Sequence, residues 1–327
     1  MEKEQLVESG GGWNPGKLEY KPLFVWPPRP FALLKWLFHF PNGHIFPWAA
    51  IHIIITLISY VYFLPAFERF ANFQWDWVGI IFLRNFIILF VYTGLWHLHL
   101  HTFRSQEDKF KYNLKPLGKG KKWLFGTQTR ENMFWSLCSA LPIWTAYECI
   151  MLWCYSNDYM LFPIHNWLDH PIYFCILLFI LIPVIHHIHF YFIHRLIHWP
   201  PLYKYVHSLH HKNVQVGPWS GLSMHPVEHL LYISTIFVHF VIPSHPFHFI
   251  YMGIHTQLGA TKGHSGYERL VVGKNGSSIP SAGYFHYLHH KYFECNYGEI
   301  TSPLDKWFGS FHDGTQKTHD KLFRQKN

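Results

Sequence analysis

Three packets of histidine with repeated spacing constrain this chain more than any other feature. His194 and His198 stand four residues apart; His207, His210 and His211 follow an H-x-x-H-H pattern; His286, His289 and His290 repeat it far downstream. On a helix, residues three and four apart project from one face, so each packet is a ready-made chelate. A lone histidine on an apolar face is more often a hydrogen-bonded core residue. Three packets with matching spacing point instead to metal ligation. Neutral imidazole binds Zn, Cu, Fe and Ni, and eight rings are too many for one ion with four to six positions, so the spacing predicts two metals.

The rest of the chain sets these packets in a membrane protein. Of 327 residues, 20% are aromatic and only 14% charged, against about 25% charged in ordinary soluble domains. Four apolar runs, at about 45–64, 78–99, 133–155 and 172–192, are each long enough to cross a hydrocarbon core of about 30 Å. Pro65 closes the first, and Arg84 interrupts the second near its start. Between the second and third runs, segment 102–130 carries eight Lys and Arg against Glu107 and Asp108. By the positive-inside rule this is a cytoplasmic loop, and an even number of crossings returns the first packet to that side.

Residues 230–259 are apolar but broken at Pro243 and Pro246, leaving pieces too short for full spans. They predict a shallow, tilted or re-entrant helical hairpin that brings the third packet back to the first two. Residues 260–327 are polar enough for a cap, with a flexible Gly/Ser-rich stretch at 271–283. The expected fold is an all-α integral membrane protein, with about four transmembrane helices, that hairpin, and a cytoplasmic helical cap holding a di-metal site.

Its expected division is a tail and interfacial segment at 1–43, an N-terminal transmembrane part at 44–170, a catalytic domain at 171–312 and a tail at 313–327. The formal charge of +8 does not indicate nucleic acid, because the basic residues concentrate in 102–130 without interleaved stacking aromatics. The five cysteines form no C-x-x-C pair and read as small buried residues.

The motifs H-R-L-I-H (194–198), L-Y-K-Y-V-H-S-L-H-H-K (202–212), and H-Y-L-H-H-K (286–291) with N-Y-G (296–298) resemble the fatty acid hydroxylase/sterol desaturase superfamily of membrane di-iron enzymes. The resemblance covers roughly 170–312, and G-L-S-M-H-P-V-E (221–228), H-S-G-Y-E (264–268) and L-D-K-W-F-G-S-F (304–311) add to it. It implies that His194, His198, His207, His210, His211, His264, His286, His289 and His290 are metal ligands. His225, His187 and Glu228 are candidates either for ligation or for orienting a ligand. Members often carry an acid seven residues before the H-R; here that position is His187, on the helix face of His194 and His198.

The same resemblance implies two non-haem irons, O2 as co-substrate, and hydroxylation or desaturation of a C–H bond in a lipid. The 217–229 and 264–268 stretches are more similar to the sterol desaturase and methylsterol oxidase branch than to ceramide hydroxylases, so a sterol leads over a fatty acyl chain or sphingolipid. Electrons are expected from a separate donor such as cytochrome b5 or a ferredoxin with its reductase. The expected location is the endoplasmic reticulum in a eukaryote, or the inner membrane in a bacterium.

Trp199, Tyr203, Tyr205, Trp219 and Tyr232 are candidates to line the lipid path, in competition with packing and interface anchoring. His97, His99 and His101, at spacing two, point in different directions on a helix and are expected to mark the polar end of the second crossing rather than a fourth box. Two other classes compete. A metal-dependent hydrolase would bring carboxylates to its metals, and none falls within the three boxes. A membrane metal carrier would place ligands inside several spans rather than at helix ends.

Overall fold

A computed structural model describes residues 5–8, 10–273 and 275–323; the outer ends of the two predicted tails lie outside the described residues. After a short helix α1 (Pro30–Phe38) come four long apolar helices, α2 (Ile45–Tyr62), α3 (Trp75–Thr102), α4 (Gln128–Ser156) and α5 (Pro171–Ile197). They hold 18, 28, 29 and 27 residues, enough to cross about 30 Å at 1.5 Å per residue. Their outer faces expose Ile54, Leu57, Ile58 and Val61 on α2 and Leu83, Ile87, Val91 and Leu95 on α3. This is the surface of an integral membrane protein, whose apolar belt faces lipid rather than water.

Arg84, which breaks the hydropathy of α3, is explained by a partner the sequence reading missed. It pairs with Glu148 of α4, and Asn85 joins the two by hydrogen bonds of 3.1 Å to Glu148 and 3.2 Å from the Arg84 guanidinium. All three side chains are buried. A lone charge at that depth would be costly, so the pair and its bridging amide make the span tolerable.

Beyond α5 the chain makes short helical turns over 200–211 (α6), then α7 (Pro226–Ile233), a 3-10 stretch (Ser234–Phe240), and α8 (Pro246–Gly263). Proline in the first turn, where its missing N–H costs nothing, starts both α7 and α8, and the rings of His225 and His245 cap them. The break between Phe240 and Pro246 contains Pro243, as the sequence predicts. Most of α8 is buried: Ile250, Ile254 and Leu258 pack with Trp77, Ile81, Leu89, Trp144 and Met151 in the main core. Helix α8 is therefore the central post around which α2, α3, α4 and α5 are arranged.

The stretch expected to be flexible at 271–283 differs from that reading. Strands β1 (Arg269–Val271) and β2 (Ser278–Pro280) pair antiparallel, and the Arg269 side chain bonds both the Ser278 hydroxyl and its carbonyl. The hairpin leads into α9 (Tyr284–Tyr292), which carries the third packet, then α10 (Leu304–Trp307) and α11 (Gln316–Phe323). The two tails also pack. Val7 donates to the Gly314 carbonyl and Leu18 to that of Asp313, while α11 lays Phe323 and His319 against Tyr292.

Candidate metal centre

The histidine packets meet, but they do not map one packet to one site. One group contains His194 and His198 from the end of α5, His207 and His211 from α6, and His289 from α9. The other contains His210 from α6, His264 just after α8, and His286 and His290 from α9. The helical period explains the split. Residues four apart, such as 207 and 211 or 286 and 290, share a face, and the residue at the third position turns toward the neighbouring group.

Within each group the Nε2 atoms converge. In the first, His194 to His207 is 3.1 Å, His198 to His211 3.1 Å, and His211 to His289 3.0 Å. In the second, His264 lies 3.0 Å from His286, 3.1 Å from His290 and 3.3 Å from His210. The opposite nitrogens of five rings are engaged elsewhere, His207 with Glu228 and four with carbonyls, while Nδ1 of His211, His286 and His290 is buried without a partner. Nδ1 donates to the carbonyls of Tyr297 from His194, Ser223 from His210, Ala260 from His264 and Cys295 from His289.

A carbonyl accepts only, so these rings carry their proton on Nδ1 and turn a bare lone pair inward. Two such lone pairs at 3.3 Å, as between His210 and His264, cannot hydrogen-bond to each other. A cation satisfies them. Metal–nitrogen bonds of about 2.1 Å put adjacent ligands about 3.0 to 3.4 Å apart in octahedral or tetrahedral arrangements, the spacing found here. Burial supports the same state: it holds His207, His210, His211, His286, His289 and His290 well below the ordinary imidazole range, and lowers His264 to about 4. The donor set fits two transition-metal ions, five neutral nitrogens on one side and four on the other.

The three uncertain positions separate. Glu228 is buried and its Oε1 lies 2.8 Å from His207 Nδ1, so it sits behind a ring rather than among the inward nitrogens. His225 is half-buried, caps α7 by accepting from the Val227 N–H, and belongs to neither group. His187 also lies outside both groups, two turns before His194 on α5. His97, His99 and His101 are outside as well: His97 and His101 stack on each other at 5.5 Å, and the His101 ring bonds the Ser265 carbonyl at 3.0 Å.

A residue the sequence reading did not assign, Asp305, organises the N-Y-G loop. Its two carboxylate oxygens each accept a 2.8 Å bond, one from Tyr297 N–H and the other from Gly298 N–H. Asn296, at φ 53, ties the same loop to the carbonyls of Phe285 and His312. A Cβ on Gly298 would come within 3.1 Å of Asp305 and 3.2 Å of Tyr191, so the loop must approach closely here. The Tyr297 carbonyl, fixed in this way, orients His194. The signal was present in the L-D-K-W-F-G motif, but nothing local says what that aspartate holds.

A cavity of about 380 Å³ reaches the centre and is lined by His194, His207, His210, His264 and His286 at one end. Phe190, Met224 and Tyr232 also line it. Trp199, Tyr203 and Trp219, expected to line the lipid path, do not. Trp199 is 59% exposed before α6, Tyr203 packs behind His198 and His211 at 5.5 and 5.6 Å, and Trp219 is buried against Phe90. These three fill core and surface, the commoner use of large aromatics, whereas Tyr232, also expected on the path, lines the cavity.

Residues 177–310, which include every histidine of both groups, match the fatty acid hydroxylase family. Among known proteins the chain is similar to the Delta(7)-sterol 5(6)-desaturases of Gibberella zeae, Aspergillus fumigatus and Saccharomyces cerevisiae. Identities are 32% over 123 residues, 31% over 154 and 29% over 138, covering 37%, 40% and 42% of this chain. The matches span 37%, 47% and 35% of those proteins' own lengths, so the chain covers less than half of each. No solved structure matches. The part of the chain that carries both histidine groups thus matches the fatty acid hydroxylase family, and the relatives it is similar to are sterol desaturases.

Proposed function

We propose that the protein is a membrane-bound, O2-dependent oxidoreductase that uses two non-haem irons to hydroxylate or desaturate a C–H bond of a lipid, with a sterol favoured. The observation that carries this reading is the pair of imidazole groups opening on a cavity among apolar helices. Iron held there would supply the redox chemistry that activates dioxygen against an unactivated C–H bond. The nine proposed ligands are His194, His198, His207, His211 and His289 for one ion, and His210, His264, His286 and His290 for the other. The chain's part is to hold them. Carbonyls and Glu228 orient the rings, and burial keeps the inward nitrogens unprotonated.

The choice of a sterol rests on the relatives, whose names describe 5(6)-desaturation of Delta(7)-sterols. Electrons would come from a separate donor such as cytochrome b5 or a ferredoxin with its reductase. We place the centre on the cytoplasmic side, facing the cytosol from the endoplasmic reticulum or from a bacterial inner membrane. The basic segment 102–130 packs on the same end of the molecule, with Tyr112 stacked 5.0 Å from Tyr287 on α9. The arms α7 and α8 would form the re-entrant hairpin, entering the bilayer from that side.

The test is metal and product analysis of the purified protein in lipid nanodiscs. About two non-haem irons per chain, with reductant-dependent and O2-dependent oxidation of a Delta(7)-sterol, is the expected result. Stoichiometric zinc without iron would overturn it in favour of a hydrolase or a carrier.

A further inference from the structure

Away from the metal centre, the cavity ends on a second set of histidines that the proposed chemistry does not use. His52 from α2, His186 and His187 from α5, and His255 from α8 line it, together with His44 just before α2. None belongs to either imidazole group. Ionisable side chains at this depth between spanning helices are expensive and mark function by default.

Their hydrogen bonding leaves capacity unused. His52 and His255 meet at 3.2 Å through Nδ1, and His52 reaches Tyr92 through Nε2. His186 uses Nδ1 on Thr256. His187 Nδ1 and His44 Nε2 are buried without a protein partner, and the contacts of His255 to His52 and Tyr251 are both through Nδ1. A wholly hydrocarbon occupant would leave these nitrogens unpaired.

The charged groups of the lining are already engaged: Lys262 donates to the Ser281 carbonyl, Arg269 to Ser278, and Glu228 faces His207. The unused capacity of the wall is that of neutral imidazoles rather than of a cation that would pair a buried phosphate or carboxylate. An imidazole is at once donor and acceptor, which matches a hydroxyl group. Phe190 stands between this wall and the metal centre, stacked 6.3 Å from His186 on one side and 4.8 Å from His194 on the other, and Tyr232 lies 5.6 Å from His186. The cavity thus joins a wall of histidines to the proposed metal ligands across the ring of Phe190.

Two helices give the spacing independently. His187 precedes His194 by seven residues on α5, about 10 Å of rise, and His255 precedes His264 by nine along α8, about 13 Å. We propose that His44, His187 and His255 form a subsite that hydrogen-bonds a neutral hydroxyl of the lipid and presents to the metal centre a C–H bond several carbons away. The proposal rests on the oxidoreductase reading for what happens at the metals. The recognition itself is a separate property of the cavity wall.

The experiment measures binding to full-length, iron-loaded protein in nanodiscs by competition against a tritiated Delta(7)-sterol. The competitors are the unlabelled sterol with its free 3-hydroxyl, its 3-methyl ether and its 3-deoxy analogue. Wild type should prefer the free hydroxyl by about tenfold or more, since a site built to pair a hydroxyl rejects analogues lacking it. His187→Phe and His255→Phe should each cut that preference to about threefold or less with iron content unchanged, and His187→Asn, which keeps a donor and an acceptor, should restore part of it. Equal binding of the three by wild type, no binding of any, or a preference that survives both Phe substitutions would overturn the subsite. Product analysis on the same samples keeps the two readings apart. Hydroxyl preference without oxidation defeats the oxidoreductase reading alone, and oxidation without preference defeats the subsite alone.

Discussion

Glu228 Oε1 lies 2.8 Å from Nδ1 of His207, and both side chains are buried. Burial pushes the Glu228 carboxyl up, because an isolated charge there is poorly solvated. A cation on the far nitrogen of His207 offsets that cost, so carboxylate and metal stabilise each other through the ring. Glu228→Gln should therefore keep the fold but weaken iron binding about 10- to 100-fold, the usual scale for such outer partners. Competition with a chelator measures it. Unchanged iron affinity in the Gln variant would mean that the pair only fills space.

The two imidazole groups share no ligand, which predicts that they lose metal one at a time. His211→Ala should retain about one iron of two, as should His290→Ala, and the double variant should retain almost none. Each single variant should be inactive, because both ions are needed. Iron quantified per chain, alongside product formation, decides the matter; a single variant that loses both irons would mean one coupled site.

The clusters were legible because their signal is local: imidazoles at three and four residues apart need only helix geometry to converge. The division of the second packet was not, since whether His210 turns from His207 and His211 toward His286 depends on how α9 docks. Arg84 was visible as an interruption, but its partner Glu148 lies 64 residues away on another helix. Of the aromatics expected on the lipid path, Tyr232 lines the cavity while Trp199, Tyr203 and Trp219 do not, for a related reason. Ring type says nothing about which face of the fold a Trp occupies, and the cavity lining includes histidines such as His44, His52 and His255 that carry no repeated spacing.

Asp305 holds the loop that holds His194. Replacing it with Ala would leave the N–H groups of Tyr297 and Gly298, and the hydroxyl of Ser310, without their shared acceptor. Buried donors left unpaired cost about 1–3 kcal/mol each, so Asp305→Ala should lower thermal stability by several degrees or more. It should also lower the iron content of the group containing His194. Asp305→Asn keeps one acceptor oxygen and should fall between the two. Circular dichroism melting with iron analysis checks the ordering.

The final prediction concerns His97, His99 and His101, which crowd the end of α3 close to the centre without entering it. The spacing sends His99 away from the other two, while His97 and His101, four apart, share a face and stack on each other; His101 bonds the carbonyl of Ser265, next to His264, and none of the three joins either imidazole group. A glutamine at 101 can still donate to that carbonyl. His264 differs in kind, since its Nε2 lies within 3.3 Å of the Nε2 atoms of His210, His286 and His290. The triple change to Gln at 97, 99 and 101 should keep most of the bound iron and a measurable turnover, whereas His264→Gln should lose one iron and all turnover. An iron-free triple variant beside an intact His264→Gln protein would mean that the ligands had been assigned to the wrong half of the chain.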